Sequence, residues 1–586
     1  METIKNAIKW FFKTVFTVII VFAVLFFFLA AFIAKLSYEN IKKDDILNGS
    51  YLVLSFPEGI IESPTEKIDL MNLEKIELNR KSLTLYDVLK RVEDASDDPL
   101  IKGIILDLDN WNAGAEHTNE IAVALNEFKG SSKLITAAGS SLDKSSYMAA
   151  LSSDEILLDP SNSCNIMLNG FSASVPYLKD LGDKLGVSVN VIHIGQYKGA
   201  GENFARNTMS DQFRESILKL LNDRHDLLTG TISERRSLEK SAVSGMIEKG
   251  EAVFITPQQA LELKLVDKLM SWDEMIKDKH IKKKQLVDIR DYIGKEDQKE
   301  GKKIAVIFAE GDIVDSDKGG DFTEDNINPD KFEKILEKIR KDSDVKAIVL
   351  RVNSPGGSAL ASEKILRKII EIKKTVPVTV SMGPVAASGG YYISCQADKI
   401  FADPYTVTGS IGVVSMLPNV KKLYDKIGIK TERISMGKYS DIFDFTKEQS
   451  EEDVLLMKSS MEKIYAEFKS RVSDGRKISE EELEKIAQGQ IWTGRQAKEN
   501  GLVDELGGLD HAIADAAKTA GMKNYQLLTY PENKTVYEKI FSADIEEKDA
   551  LTILEGSGLL KDEIEMLKRS VLFGNRPALL LPLSVK

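Results

Sequence analysis

The chain repeats itself, and that repeat limits its possible folds more than any other feature. "DPLIKGIILDLDN" (Asp98 to Asn110) reads like "DSDVKAIVLRVNS" (Asp342 to Ser354). Lys102 and Lys346 stand 244 residues apart, as do Tyr147 and Tyr391, and Gly139 and Gly383. Further on, "ITPQQALELKLVDKL" (Ile255 to Leu269) resembles "WTGRQAKENGLVDEL" (Trp492 to Leu506), with 237 residues between Asp267 and Asp504. Matching segments in one order, at a nearly constant offset, predict two homologous domains, 50–280 and 302–530. A charged stretch, 281–301, reads as the linker between them. Residues 531–586 have no internal match and form a C-terminal extension whose "ALLLPLSVK" end reads as a strand or a contact between copies.

Each copy carries an α/β pattern. "KAIVLRVN" is a short run rich in branched apolar residues, as a strand buried on both faces requires. "ALASEKILRKIIEIKK" has apolar positions at helical spacing with charges between them. "VPVTVSM" and "DKIFAD" read as the next strands, with a helix starting near Ser388 between them. Strands alternating with helices predict parallel βαβ units, hence an α/β class with two tandem domains.

The N-terminus predicts location. Thr14 to Ala34 is a run of 21 residues without a charge, and about 20 apolar residues span a bilayer as a helix. The run exceeds the roughly 7–15 apolar residues of a cleaved signal. It therefore reads as an uncleaved transmembrane anchor over 14–34, with residues 1–13 in the cytoplasm and the remainder on the far side. The net charge of −12 gives no footing for nucleic-acid binding. Two cysteines, Cys164 and Cys395, do not make a disulfide framework. No cofactor or metal is expected.

Two glycine-rich turns follow successive strands of the second copy: "NSPGGS" (Asn353 to Ser358) and "AASGGYY" (Ala386 to Tyr392). Ligands of α/β sheets gather beyond the carboxyl ends of strands. A serine held there stands close to backbone N–H groups, and acyl transfer needs two such donors aimed at the developing oxyanion. Ser388 is the candidate nucleophile, with Gly357 and Gly389 as candidate donors. A tight packing corner is the competing reading of the same stretch. A serine also needs a base. None of the five histidines, His117, His193, His225, His280 and His511, stands where the repeat would put a partner, and His193 reads as packing on a strand.

The duplication points to a different base. Gly195 matches Gly437 and Tyr197 matches Tyr439, so Lys198 aligns with Ser440. Subtracting 244 from Ser388 gives Lys144. The first copy thus has a lysine where the second has its serine, and the second has a serine where the first has Lys198. One composite site remains, Ser388 with Lys198, and Ser–Lys pairs are an established variant of the nucleophile–base arrangement. Burial supplies the neutral lysine that such chemistry needs, because it disfavours the charged form.

At "VNSPGGS", "GPVAASGGYYIS", "ADPYTVTGSIGV" and "GQYKGAGENF" the sequence resembles the signal peptide peptidase A (protease IV) family, in its long duplicated form. The resemblance covers nearly everything after the anchor. It implies a Clp/crotonase-like fold in both domains and a Ser/Lys dyad on Ser388 and Lys198. It implies a bacterial inner-membrane serine endopeptidase with its catalytic domains on the extracytoplasmic side. Its substrates would be hydrophobic signal peptides left in the membrane, and its assembly a homotetramer. Two rivals stay open at this point: a crotonase-type enzyme acting on an acyl-CoA thioester through carboxylates, and a non-catalytic membrane-anchored scaffold that binds peptides.

Overall fold

The computed structural model describes residues 46–63, 83–292, 294, 301–316 and 326–531, together with the backbone of 578–580. The predicted anchor, 14–34, lies outside the described residues, as does most of the 531–586 extension. Among the described residues no helix is long and apolar enough to cross a membrane.

Two parallel sheets carry the molecule, and they share one strand order. In the first, Ser50–Phe56 lies between Leu286–Asp288 and Ile101–Trp111, followed outward by Leu134–Gly139, Glu155–Leu158 and Lys268–Leu269. In the second, Lys303–Glu310 lies between Gln526–Tyr530 and Val345–Ser354, followed by Val378–Ala387, Lys399–Ala402 and Glu505–Leu506. The α/β pattern follows from the residues. "IAVIF" and "AIVLRV" are almost wholly buried, as continuous branched runs in a parallel sheet should be. Helix Ala359–Ile372 buries Ala361, Ile365, Leu366, Ile369 and Ile372 at three- and four-residue spacing. The Ser358 hydroxyl accepts from Ala361 N at its start, as an N-cap does.

One part of the stretch read as a linker, 281–301, belongs to the first sheet. Leu286–Asp288 pairs in parallel with Tyr51–Val53. The short branched run "LVD" is enough for an edge strand beside an existing template, even among lysines.

The two copies are not independent bodies. Strand Ser188–Ile194 leaves the first copy and pairs antiparallel with Val413–Asn419 of the second, Ile194 opposite Val413 and Ser188 opposite Asn419. Its Ile192 joins the core of the second copy, whereas His193, the next residue, lies on the opposite face and is partly exposed. Helix Asp211–Arg236 follows the arm and lies against Ile491–Thr493, where Ser216 Oγ accepts from Ile491 N at 3.3 Å.

A buried ion cluster ties the copies from the other side. Arg351, near the end of Val345–Ser354, donates to both carboxylate oxygens of Glu62 at 2.9 Å and to Glu120 Oε1 at 2.7 Å. His117 Nε2 meets Glu62 Oε1 at 2.8 Å. Burial works to raise the Glu62 pKa, but Arg351 and His117 outweigh it and hold the carboxyl well below its usual range.

Candidate active site

Strand Val378–Ala387 ends at Ala387 and helix Gly389–Ser394 begins at Gly389. Ser388 is the single residue between them. It turns the chain at φ 56°, ψ −112°, a backbone region that non-glycine residues seldom adopt. Both its main-chain groups are tied: Ser388 N donates to Gly409 O, and Ser388 O accepts from Tyr392 N, each at 2.8 Å. The residues after it must be small. A Cβ at Gly390 would stand 2.6 Å from Ser354 O, and one at Gly389 would stand 2.8 Å from Ser362 Oγ and 3.1 Å from Gly357 N. The two glycine-rich turns therefore touch, which is why the sequence has glycine on each side of the contact.

Gly357 lies in Gly356–Ser358 with φ 153°. A Cβ there would be 2.0 Å from Ile313 O, so no other residue fits. The turn is braced from below: Ser354 Oγ donates to Gly311 O at 2.7 Å and accepts from Gly356 N at 3.2 Å. The backbone of Ala578–Leu580 runs antiparallel to Gly356–Ser358, and Ala578 also pairs with Val414. An extended segment of chain thus lies between the glycine turn and strand Val413–Asn419.

Lys198 arrives on the turn that follows the crossing arm. Tyr197 N donates to Gln488 O at 2.8 Å and Lys198 N to Gly195 O at 3.1 Å. Glycines close over the side chain: a Cβ at Gly489 would lie 2.6 Å from Lys198 Cβ, and one at Gly412 would lie 3.2 Å from Lys198 Cδ. Lys198 keeps only 1% of its surface exposed. Its Nζ reaches Ser388 Oγ at 2.7 Å, Ser410 O at 2.9 Å and Ser410 Oγ at 3.0 Å. Burial pushes its pKa well below the ordinary lysine value.

The structure thus brings Ser388, Lys198, Gly357 and Gly389 into one place. Sequence reasoning missed Ser410, which touches Lys198 twice. It lies inside "VTGSIG", and a serine following glycine at a strand end was the available signal. Ser410 also has positive φ, 53°, a feature invisible in one sequence. The aligned counterparts lie elsewhere. Lys144 opens helix Lys144–Ala150, hydrogen-bonds Gly170 O and lies over the Phe171 ring. Ser440 donates to Gly437 O at 3.0 Å and is exposed. None of the five histidines contacts Ser388. Among the described residues no group of His, Cys, Asp and Glu is placed to hold a metal.

The model of "Peptidase family S49" matches residues 127–286 and 371–523, together a little more than half of the chain. The chain belongs to peptidase family S49. Its two matched segments begin 244 residues apart, at the offset of the internal repeat. "Protease 4" of Salmonella typhi is 36% identical over 478 residues, 78% of this chain and 76% of that protein. "Serine protease SPPA, chloroplastic" of Arabidopsis thaliana is 31% identical over 518 residues, 85% of this chain and 76% of that protein. "Putative signal peptide peptidase SppA" of Enterococcus faecium is 34% identical over 235 residues, 40% of this chain and 68% of that protein. As an S49 member the chain is a serine protease, a hydrolase of peptide bonds.

Proposed function

We propose that this S49 protease cleaves peptides with Ser388 as nucleophile and Lys198 as general base and acid, each supplied by a different copy. The observation that carries this is the 2.7 Å contact between Lys198 Nζ and Ser388 Oγ in a fully buried setting. A neutral amine has two N–H bonds and one lone pair. Ser410 O takes one N–H and Ser410 Oγ takes the other. The lone pair then points at the Ser388 hydroxyl and accepts its proton.

The steps follow from these positions. Ser388 Oγ attacks the peptide carbonyl carbon as its proton passes to Lys198 Nζ. Charge develops on the carbonyl oxygen beside the Gly357 and Gly389 amides. Lys198 then gives the proton to the leaving amine. Water attacks the acyl-serine, Lys198 accepts its proton, and the return of that proton to Ser388 Oγ restores the resting state. The strained serine turn and the braced glycine turn hold nucleophile and donors in advance, so that little reorganisation is left for the transition state.

The extended backbone of Ala578–Leu580 between Gly356–Ser358 and Val413–Asn419 supports a peptide as substrate. The slot recognises main chain, in the manner of strand addition. A crotonase-type mechanism would place carboxylates at the reacting carbonyl, whereas Ser388 meets an amine here. The finer reading draws on the family resemblance: Clp/crotonase-like domains over 50–280 and 302–530, a 14–34 anchor in a bacterial inner membrane, extracytoplasmic catalysis, signal-peptide remnants as substrate and a homotetramer. The test is a fluorophosphonate probe on the full-length protein. Labelling that vanishes in Ser388→Ala and in Lys198→Ala is expected. Equal labelling of wild type and Ser388→Ala would remove the serine assignment.

A further inference from the structure

The two sheets share a strand order but differ in what stands at the N-terminal ends of their strands. All strands of the first sheet run parallel, so those ends emerge on one side. Leu134, Leu100 and Leu47 stand there, at or just before the first residues of three neighbouring strands, and are 62%, 37% and 41% exposed. Lys282, Lys283 and Lys284, all exposed, precede the next strand in the order, Leu286–Asp288. Hydrogen bonds join these pieces into one surface. Gly49 N donates to Leu100 O at 3.0 Å, and Gln285 Nε2 donates to Asn48 O at 3.1 Å. Four adjacent strand ends make a patch about 15 Å wide.

Strand register carries each position into the second copy. Tyr51 pairs with Gly103 and Leu286 as Ile304 pairs with Ala347 and Leu527. Leu100 then answers to Asp344, Leu134 to Pro377 and Leu47, by counting back, to Glu300. The three lysines answer to Lys523, Asn524 and Tyr525. The second copy thus has carboxylates at two of the three leucine positions and keeps one lysine of three. Among the described residues no carboxylate pairs with Lys282, Lys283 or Lys284, while Glu155 is held by Lys268 and Lys279 and Asp154 by Lys129. The partner that suits this end is apolar and anionic together. The chain itself brings one close: Ile46 is twelve residues beyond Ala34, the last of the charge-free run, and twelve residues reach about 40 Å at full extension.

We propose that this end of the first sheet rests on the anionic bilayer in which the chain is anchored, with Leu47, Leu100 and Leu134 among the headgroups and Lys282, Lys283 and Lys284 on lipid phosphates. The inference rests on the 14–34 anchor reading and stands apart from the chemistry at Ser388. Apolar contact and attraction to anionic lipid add in this way at membrane surfaces. A patch of this size is too small to hold a protein to a membrane alone. The anchor makes the contact intramolecular and so raises the effective concentration of lipid at the patch. Docking fixes the tilt of the protein on its tether.

The test uses the full-length protein in nanodiscs of phosphatidylglycerol or of phosphatidylcholine, each containing lipid with a nitroxide on the headgroup. A fluorophore is attached at Leu134→Cys or, as the control in the second copy, at Asp344→Cys; the native Cys164 and Cys395 are buried and do not compete. Quenching is expected at position 134 in phosphatidylglycerol, less in phosphatidylcholine, and little at position 344 in either. Lys282→Gln/Lys283→Gln/Lys284→Gln should lower the docked-to-free ratio roughly a hundred-fold, about five-fold for each charge. Fluorophosphonate labelling of Ser388 in that variant shows that it folds. Equal quenching at positions 134 and 344, or quenching that the triple variant leaves unchanged, would overturn the proposal. So would protection of position 134 from a water-soluble thiol reagent without quenching, since protein and not lipid would then cover the face. Flotation of wild type with phosphatidylglycerol vesicles in molar salt separates the two readings. Release there strikes the anchor and this contact with it, whereas retention without quenching at position 134 strikes the contact alone.

Discussion

Ser410→Ala is the sharpest perturbation of the site, since it removes one oxygen and leaves the backbone alone. Ser410 Oγ lies 3.0 Å from Lys198 Nζ, while Ser410 O, which the variant keeps, lies at 2.9 Å. Serine and alanine both carry a Cβ, so the positive φ of 53° strains them alike. What changes is one hydrogen bond to a buried amine, with a net worth of about 0.5–1.5 kcal/mol in a neutral pair. About 1.4 kcal/mol is a factor of ten in rate. If the bond only orients the lone pair toward Ser388, kcat should fall between about two- and twelve-fold, with KM little changed. The assay is cleavage of a quenched fluorescent peptide, run beside the rate of fluorophosphonate labelling; both should drop by the same factor. Ser410→Gly is the control. It removes the hydroxyl and relieves the φ, so it should match Ser410→Ala if the hydroxyl is what counts. A Ser410→Ala enzyme with wild-type kcat and labelling rate would refute the positioning role.

Other predictions follow from the same geometry. Cleavage should rise from neutral to alkaline pH as Lys198 loses its proton; a pH–rate profile flat down to pH 5 would argue against an amine base. Lys198→Met should be inactive yet more stable. A native lysine pKa below the unfolded value means that the unfolded chain binds the extra proton across the window between them, so wild-type stability rises with pH there. Denaturant unfolding at several pH values should show that rise flattened in Lys198→Met, and parallel curves would contradict the buried-amine account. Lys144→Ala should leave kcat near wild type, because Lys144 bonds Gly170 O and not Ser388; a loss as deep as that of Ser388→Ala would break the composite-site argument. Arg351→Met should destabilise by about 3–5 kcal/mol, since it strips buried Glu120 of its cation and leaves Glu62 with His117 alone. An unchanged denaturation midpoint would show that Glu62 and Glu120 are held in another way.

The strand and helix pattern of each copy was legible because apolar runs and helical spacing are local properties of the chain. The pairing of Ser388 with Lys198 was legible for a different reason. The repeat supplied a second sequence for comparison, and the exchange of Lys144 for Ser388 and Ser440 for Lys198 marked which half of the site each copy retains. Ser410 left no such mark, since its contribution is one hydroxyl and one carbonyl set by a dihedral angle. The ion cluster was equally hidden. Glu62, Glu120 and Arg351 are 58 to 289 residues apart, and a carboxylate on an amphipathic helix reads as solvated until its neighbours are known. Leu286–Asp288 was missed because its lysine-rich surroundings suggest solvent, whereas an edge strand needs only one partner.

The swapped residues and the crossing arm have one physical origin. Ser388 stands on a turn of the second copy and Lys198 follows the arm of the first, so their contact exists only where the two copies meet. Duplication joined two such copies and satisfied one arm within the chain. There the lysine is sealed by Gly412 and Gly489 and is driven toward neutrality by burial. The other arm carries Ser440 in the lysine position, and the turn of the first copy carries Lys144 in the serine position. Neither residue stands where the proposed chemistry needs it, since Lys144 bonds Gly170 O and Ser440 bonds Gly437 O. Ile434 and Met436 on that arm are exposed, whereas Ile192 on the docked arm is buried in the core of the second copy. On this account Ser440→Ala should leave the cleavage rate unchanged. If Ser440→Ala lowered kcat as Ser410→Ala does, the division of labour between the two copies would have to be redrawn.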